Sequence, residues 1–169
     1  MYRTMPLEEK TEKSDLIVKA DEIEIIHLSF GSSDKVDRKD YESYRLQSYT
    51  TPTSVVVFEV SDVLKGNSEK VNRFIYVTGG YWFDDAPAPG LGREATILFL
   101  RNLGENFYRC IQPHSDHEIR EGRVAKKGLT IWNESEEENL ELSMPYDEFK
   151  SDVLAILNES NQSGDGNSE

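Results

Sequence analysis

The sequence predicts a mainly β protein, built as a small antiparallel barrel of five or more strands with a short N-terminal helix and a C-terminal amphipathic helix. Two observations lead to this class. Short apolar segments rich in β-branched residues follow one another, separated by turns. These segments do not alternate regularly with helical ones, which argues against a parallel doubly wound sheet. A barrel also leaves no exposed sheet edges, and a β-sandwich is the alternative architecture.

The first third of the chain predicts one helix and two long strands. A short helix can begin near Pro6, because proline is tolerated in a first turn. The segment Leu16–Leu28 opens with an apolar run and then alternates, as in a strand with one face in water. A polar stretch over 29–52, either a long loop or a hairpin extension, precedes Thr53–Leu64, which is the strongest strand pattern in the chain. Lys65–Ser68 is a turn. Strands of this length can coil around a barrel of the OB kind.

The middle of the chain predicts shorter strands separated by loops. The segment Tyr81–Gly92 contains two prolines and two glycines and is predicted to be an irregular loop. Gln112–Arg120 is polar, and no strand is predicted there. The predicted strands are Val71–Val77, Ala95–Leu100, Phe107–Ile111 and a terminal hairpin of Arg123–Ala125 with Leu129–Trp132.

The C-terminal end predicts a linker, a helix and a tail. Glu134–Glu138 is predicted to be an acidic linker. Met144–Leu157 has the apolar spacing of an amphipathic helix, and Ser143 is its expected cap. Residues 159–169 are rich in Ser, Gly, Asn and Glu and are predicted to be disordered. The predicted organisation is an N-terminal segment (1–15), an OB-like barrel domain (16–132), a linker with the C-terminal helix (133–158) and the tail (159–169).

The charge of the chain disfavours a nucleic-acid partner. The 169 residues carry a net charge of −13. Residues 134–169 hold 11 acidic side chains and one basic side chain, Lys150, so most of the acidity lies at the C-terminal end. A basic footprint for phosphates, or attraction to anionic membranes, is therefore not expected. An acidic end of this kind is typical of a solvating segment.

The sequence gives no indication of catalysis or of membrane insertion. It contains no Gly-x-Ser-x-Gly, no His-Glu-x-x-His and no phosphate-binding glycine loop, so we predict that the protein is not an enzyme. No apolar run approaches the ~20 residues of a spanning helix. The chain as written has no signal peptide, which predicts a cytoplasmic protein, or an exported one if an upstream leader is missing.

Several segments, in this order, resemble a known pattern. They are Pro6–Glu9, Ser14–Val18, Val55–Gly66, Ile75–Gly80 and Gly90–Leu100. Over roughly residues 6–132 the chain resembles a widespread group of uncharacterised bacterial domains that look like the OB-fold of tissue-inhibitor-of-metalloproteinase and netrin-type modules. Those inhibitors reach a protease zinc through an N-terminal cysteine, whereas the only cysteine here is Cys110. The resemblance therefore implies a fold and a binding role, and it implies no substrate.

One group of residues has spacing that could suit a metal. Cys110, His114 and His117 give a Cys-x3-His-x2-His pattern, and Asp116 or Glu118 could supply a fourth ligand for zinc. The spacing matches no standard zinc finger. The other interpretation is a small buried core thiol with two solvated histidines and no cofactor. A metal-binding protein is accordingly an alternative function.

Consecutive aromatic residues suggest a surface that binds a partner. Tyr81, Trp82 and Phe83 cannot all face one core if they lie in a strand, because neighbouring side chains point to opposite faces. At least one should lie at the surface beside Asp84 and Asp85, where exposed aromatic rings are typical anchors. The other interpretation is a ring that plugs the open end of the barrel.

The sequence therefore predicts a non-enzymatic binding module. Its loops, including Tyr44 in the 29–52 segment, would contact a protein or glycan partner of unknown identity. A structural or assembly protein, with the C-terminal helix docked on its partner, is a further alternative.

Overall fold

The computed structural model describes residues 5–27, 54–79, 95–112, 115–127 and 135–164, and these residues form eight strands and three helices. The strands are β1 (Leu16–His27), β2 (Ser54–Lys65), β3 (Phe74–Gly79), β4 (Ala95–Gly104), β5 (Phe107–Cys110), β6 (His117–Arg120), β7 (Arg123–Ala125) and β8 (Ser143–Pro145). The helices are α1 (Leu7–Lys13), α2 (Glu136–Glu141) and α3 (Tyr146–Gly164). The prediction of a mainly β protein with helices towards both ends is confirmed.

Five strands close into a ring. β1, β2 and β3 are consecutive antiparallel neighbours, β4 pairs with the free side of β1, and β5 lies between β3 and β4. The β1–β2 register shifts at three places, one of them between Glu22 and Glu24, and such bulges bend a strand. The bent β1 pairs with β4 over 16–20 and with β2 over most of its length.

One pairing in the ring is parallel, so the sheet is mixed, whereas the sequence predicted an antiparallel one. β3 and β5 pair in parallel at Tyr76–Phe107 and Val77–Tyr108. The direction follows from the order of the strands. β1 and β3 run the same way because β2 lies antiparallel between them, and β4 runs the opposite way. The hairpin from β4 therefore returns β5 in the direction of β3.

The apolar run of β4 is buried on both faces. Successive side chains point to opposite sides of a strand, so Leu98 packs inside the ring with Phe58, while Ile97 and Phe99 point outward. The outward side chains are covered by a second core cluster that includes Phe149 of α3. Burial on both faces explains why this segment is continuously apolar and does not alternate with polar residues.

Three short strands extend the sheet beyond the ring. β6 pairs with Ala95–Ile97 of β4, and β7 and β8 follow in order. The sequence did not predict β6, because His117 and Glu118 are polar, yet both are buried in the fold. The predicted partner of β7, Leu129–Trp132, lies outside the described residues, and β7 pairs with β6 and β8.

The segment predicted as an acidic linker contains part of a helix, and the predicted helix cap is wrong. The segment expected to be an acidic linker contains the start of α2, where the Ser135 hydroxyl accepts a hydrogen bond from the Glu138 backbone N–H. Ser143 lies in β8 and does not cap α3. Its hydroxyl accepts a hydrogen bond from the Arg123 side chain at 2.8 Å and donates one to the carbonyl of Asn139.

The C-terminal helix is present but longer than predicted. Phe149 and Val153 are its buried residues, as the apolar spacing indicates. The helix continues to Gly164, whereas the sequence predicted disorder from residue 159. The extension lies beside α1, where the Ser160 hydroxyl is 3.5 Å from a carboxylate oxygen of Glu12. None of the helices in the described part of the chain combines the length and apolar character needed to cross a membrane.

Candidate functional site

All of the residues predicted to bind a partner lie outside the described residues. These are Tyr44, Tyr81, Trp82, Phe83, Asp84 and Asp85, together with His114 of the metal hypothesis. The structure does describe the strand ends that bound the two predicted loops. His27 pairs with Ser54, and Ser54 pairs with Gly79. The segments 28–53 and 80–94 therefore begin or end at adjacent positions on three neighbouring strands.

The structure does not bring Cys110 and His117 together in one cluster. Cys110 belongs to the core inside the ring, whereas the His117 ring packs against Phe99 and Phe149 in the outer core. The expectation of a buried thiol is confirmed, but His117 is 1% exposed, so the expectation that it is solvated is wrong. Among the described residues no group of three potential ligands is arranged to hold a metal ion. The zinc hypothesis, which also needs His114, stays a prediction.

His117 forms a buried polar cluster with Lys10 of α1. The His117 Nδ1 atom lies 2.6 Å from the carbonyl oxygen of Ala125, which can only accept, so this nitrogen carries the proton. The other ring nitrogen, Nε2, is then an acceptor for the Lys10 side chain at 2.5 Å. Lys10 also donates to the carbonyl of Ser115 at 3.2 Å. The cluster thus joins α1 to β6 and to β7.

Burial controls the protonation of both side chains in this cluster. Removal from water lowers the pKa of Lys10 to about 8, and the nearby Asp116 carboxylate opposes that change. Removal from water, with the adjacent Lys10 charge as a second cause, lowers the pKa of His117 to about 3. His117 is therefore neutral at pH 7. Lys10 is 2% exposed, so the cluster is closed to ligands and its role is to hold α1 on the sheet.

An exposed group of aromatic residues lies on the outer surface of the ring. Phe74 and Phe107 are 40% and 37% exposed. The rings of Tyr76 and Phe107, which are register partners in β3 and β5, stack with centroids 5.2 Å apart and an angle of 24° between planes. Their strand neighbours Ile75 and Val77 point the other way, into the core of the ring.

Two arginines lie beside these rings on the same face of the sheet. Arg101 of β4 and Arg109 of β5 are direct register partners, so their side chains share a face. Their neighbours Leu100 and Cys110 point into the core, which places both arginines outward together with Phe107. We refer to Phe74, Tyr76, Phe107, Arg101 and Arg109 as the aromatic–arginine face.

The β4–β5 turn joins the aromatic–arginine face to β3. Asn106 donates from its side-chain amide to the Phe74 carbonyl at 2.7 Å, and its own carbonyl accepts from the Tyr76 N–H at 3.2 Å. Glu105 and Asn106 both have positive φ angles, 51° and 68°, as a two-residue hairpin loop of type I′ requires. The turn therefore holds β3 and β5, and the aromatic rings on them, in a fixed arrangement.

The aromatic–arginine face combines two kinds of recognition. Flat exposed rings can stack on apolar or planar groups, and a guanidinium presents donors in a fork that matches a carboxylate or phosphate. The sequence could have indicated the part of this face that lies on β3, because Phe74 and Tyr76 alternate with buried Ile75 and Val77. It could not indicate that Phe107 would lie beside Tyr76, because the two residues are joined by a parallel pairing between distant segments.

Comparisons with known proteins find no match, since no family model, no curated protein and no solved structure is similar enough to this chain. The function must therefore be inferred from the geometry of the chain itself.

Proposed function

We propose that this protein is a non-enzymatic binding module whose five-stranded ring is an OB-like barrel and whose aromatic–arginine face contacts a protein or glycan partner. The observation that carries the proposal is the stacked Tyr76–Phe107 pair on the outer surface, with Phe107 37% exposed. Aromatic rings are enriched among the residues that dominate binding energy, and burial of an exposed ring against a partner is favourable.

The strand order supports the OB-like part of the proposal. The spatial order β4-β1-β2-β3 is that of a Greek key, and β5 closes it between β3 and β4. A five-stranded Greek-key barrel is the OB architecture, which is also what the resemblance to inhibitor and netrin-type modules implies. OB barrels bind ligands on the face of their second and third strands and on adjoining loops, and Phe74 and Tyr76 lie on β3.

Photo-crosslinking tests where a partner binds. We expect p-benzoylphenylalanine in place of Phe107 to give a discrete adduct when the full chain is irradiated in an extract of the source cells. The matched control carries the same group in place of Leu154 of α3, which is 40% exposed. Protease treatment of the adduct then distinguishes a protein from a glycan.

The expected result is an adduct at position 107 that is absent at position 154 and is competed by unlabelled protein. Absence of an adduct at 107, or equal adducts at both positions, would contradict the proposed binding face. Circular dichroism of both labelled proteins confirms that the comparison is between folded chains.

The predicted loop residues give a second test of the same function. We expect Trp82→Ala to leave the melting temperature unchanged and to abolish capture of the partner identified by crosslinking. The two loops that contain Tyr44 and Trp82 are bounded by adjacent strand ends. If capture survives the substitution, the partner is held by the aromatic–arginine face without this loop residue.

A further inference from the structure

We propose that Arg101 and Arg109 form a subsite for a single carboxylate of a partner polypeptide, while an apolar side chain of the same partner packs on the Tyr76–Phe107 pair. This inference rests on the proposed function, which assigns the binding face but not the chemistry of the ligand.

The positions of the two arginines are unfavourable for the stability of the fold. They lie directly opposite each other on β4 and β5, and like charges in this position are destabilising. The described residues include ion pairs for other cations nearby, such as Arg73 with Glu59 at 2.6 Å, but none for Arg101 or Arg109. An anion bound between the two guanidinium groups would remove the repulsion.

Arg109 also has an unused donor. Its Nε atom is buried and has no hydrogen-bond partner among the described residues. A buried donor without a partner is unfavourable, and the Nε–H is one arm of the fork with which arginine binds a carboxylate through two parallel hydrogen bonds. A carboxylate bound here would supply the missing acceptor.

The spacing between the subsite and the rings suits an extended peptide. Phe107 and Arg109 are two residues apart on β5, which corresponds to about 7 Å along the strand. Alternate side chains of an extended partner segment have the same spacing. An acidic residue and an apolar residue separated by one position would therefore reach Arg109 and Phe107 together.

The charge of the whole chain favours one carboxylate over a polyanion. The chain carries a net charge of −13, which repels nucleic acids and polyuronic glycans beyond the immediate face. Close to the face, Arg73 is already paired with Glu59, whereas Arg101 and Arg109 have no ion pair among the described residues. Two adjacent guanidinium groups of this kind suit one bound carboxylate.

The test uses nuclear magnetic resonance of the 15N-labelled full chain, following the Nε–H signal of Arg109. The probes are the capped tripeptide acetyl-Glu-Gly-Phe-amide and the same peptide with glutamine. We expect saturable shifts with the glutamate peptide, a dissociation constant of order 1 mM for a ligand of this size, and binding at least tenfold weaker with the glutamine peptide.

The variants Arg101→Gln and Arg109→Gln should each weaken binding of the glutamate peptide at least tenfold. The matched control Arg73→Gln removes the same charge from a cation that is already paired, and it should change the affinity less than about twofold. Removing the repulsion should leave the melting temperatures of both test variants equal to or above that of the wild type. Lower melting temperatures would indicate structural arginines and would overturn the inference.

Further outcomes separate this inference from the proposed function. Unchanged peptide binding in Arg109→Gln, or tighter binding of a thymidine 15-mer or an oligogalacturonate than of the peptide, overturns the carboxylate subsite. If the adduct at position 107 persists in those cases, the proposed binding face stands and only the ligand chemistry is wrong. If the adduct is also absent, both proposals fail.

Discussion

Replacing Lys10 with methionine is expected to lower the free energy of unfolding by about 2–4 kcal/mol, because it leaves buried polar groups without partners. The side chain of Lys10 donates to His117 Nε2 and to the carbonyl of Ser115, and its charge lies near the buried Asp116 carboxylate. Methionine keeps most of the apolar stem but supplies no donor. Urea denaturation followed by circular dichroism measures the change.

Two further variants decide whether the loss comes from the cluster. Lys13→Met alters the same helix at an exposed lysine that pairs with Glu9, and it should change the stability by less than about 0.5 kcal/mol. The double variant Lys10→Met/His117→Phe replaces both partners by apolar groups and should recover much of the loss. A single Lys10→Met variant as stable as the Lys13→Met control would show that the buried pair is not a stabilising contact.

The parts of the fold that were predicted correctly are those in which apolar residues mark burial. The run that became β4 is apolar because both of its faces are covered, and the spacing of Phe149 and Val153 marks the buried side of α3. These patterns are local, so the sequence alone reveals them. The lengths of β1 and β2 can also be predicted from local sequence patterns. The length of β1 allows it to pair with β2 on one side and with β4 on the other.

The buried face of α1 could not be predicted in the same way. Four residues at helical spacing, Leu7, Lys10, Thr11 and Ser14, face the protein, and three of them are polar. From its sequence alone, such a helix is predicted to be exposed to water on both sides. Lys10 is buried only because a carbonyl and an imidazole 105 and 107 residues further along the chain accept its hydrogen bonds.

The aromatic–arginine face also depends on contacts between distant segments. Alternation in β3 indicates that Phe74 and Tyr76 share a face, but nothing in the sequence places Phe107 beside Tyr76. That neighbour is fixed by the closure of the ring, which forces β5 between β3 and β4. The sequence therefore directed attention to the aromatic run Tyr81–Phe83, which stands out locally, and missed rings that come together only in the fold.

Acidification is expected to destabilise the protein through His117 well before most carboxylates titrate. The pKa of His117 is about 3 in the fold and about 6.5 in the unfolded chain. Below pH 6.5 the unfolded chain binds a proton that the folded protein does not bind, so stability is lost as the pH falls from 6.5 towards 3. The free energy of unfolding is expected to fall by about 2 kcal/mol between about pH 7.5 and about pH 5. The loss over the full range down to about pH 3 is of order 4 kcal/mol.

Urea unfolding at a series of pH values measures this loss, with Lys10→Met/His117→Phe as the reference. Among the described residues, the charged groups beside His117 are the Lys10 ammonium, which contacts its ring, and the carboxylates of its sequence neighbours Asp116 and Glu118. The reference variant lacks both His117 and Lys10 but keeps every carboxylate, so the difference between the two proteins reports the protonation of this pair. Lys10, with a pKa of about 8, is already mostly charged at about pH 7.5, so most of the difference should come from His117. The reference variant should therefore lose about 2 kcal/mol less than the wild type over this range. An equal loss in both proteins would assign the acid sensitivity to groups other than His117, and would mean that its imidazole is not held neutral by the contacts with Lys10 and Ala125.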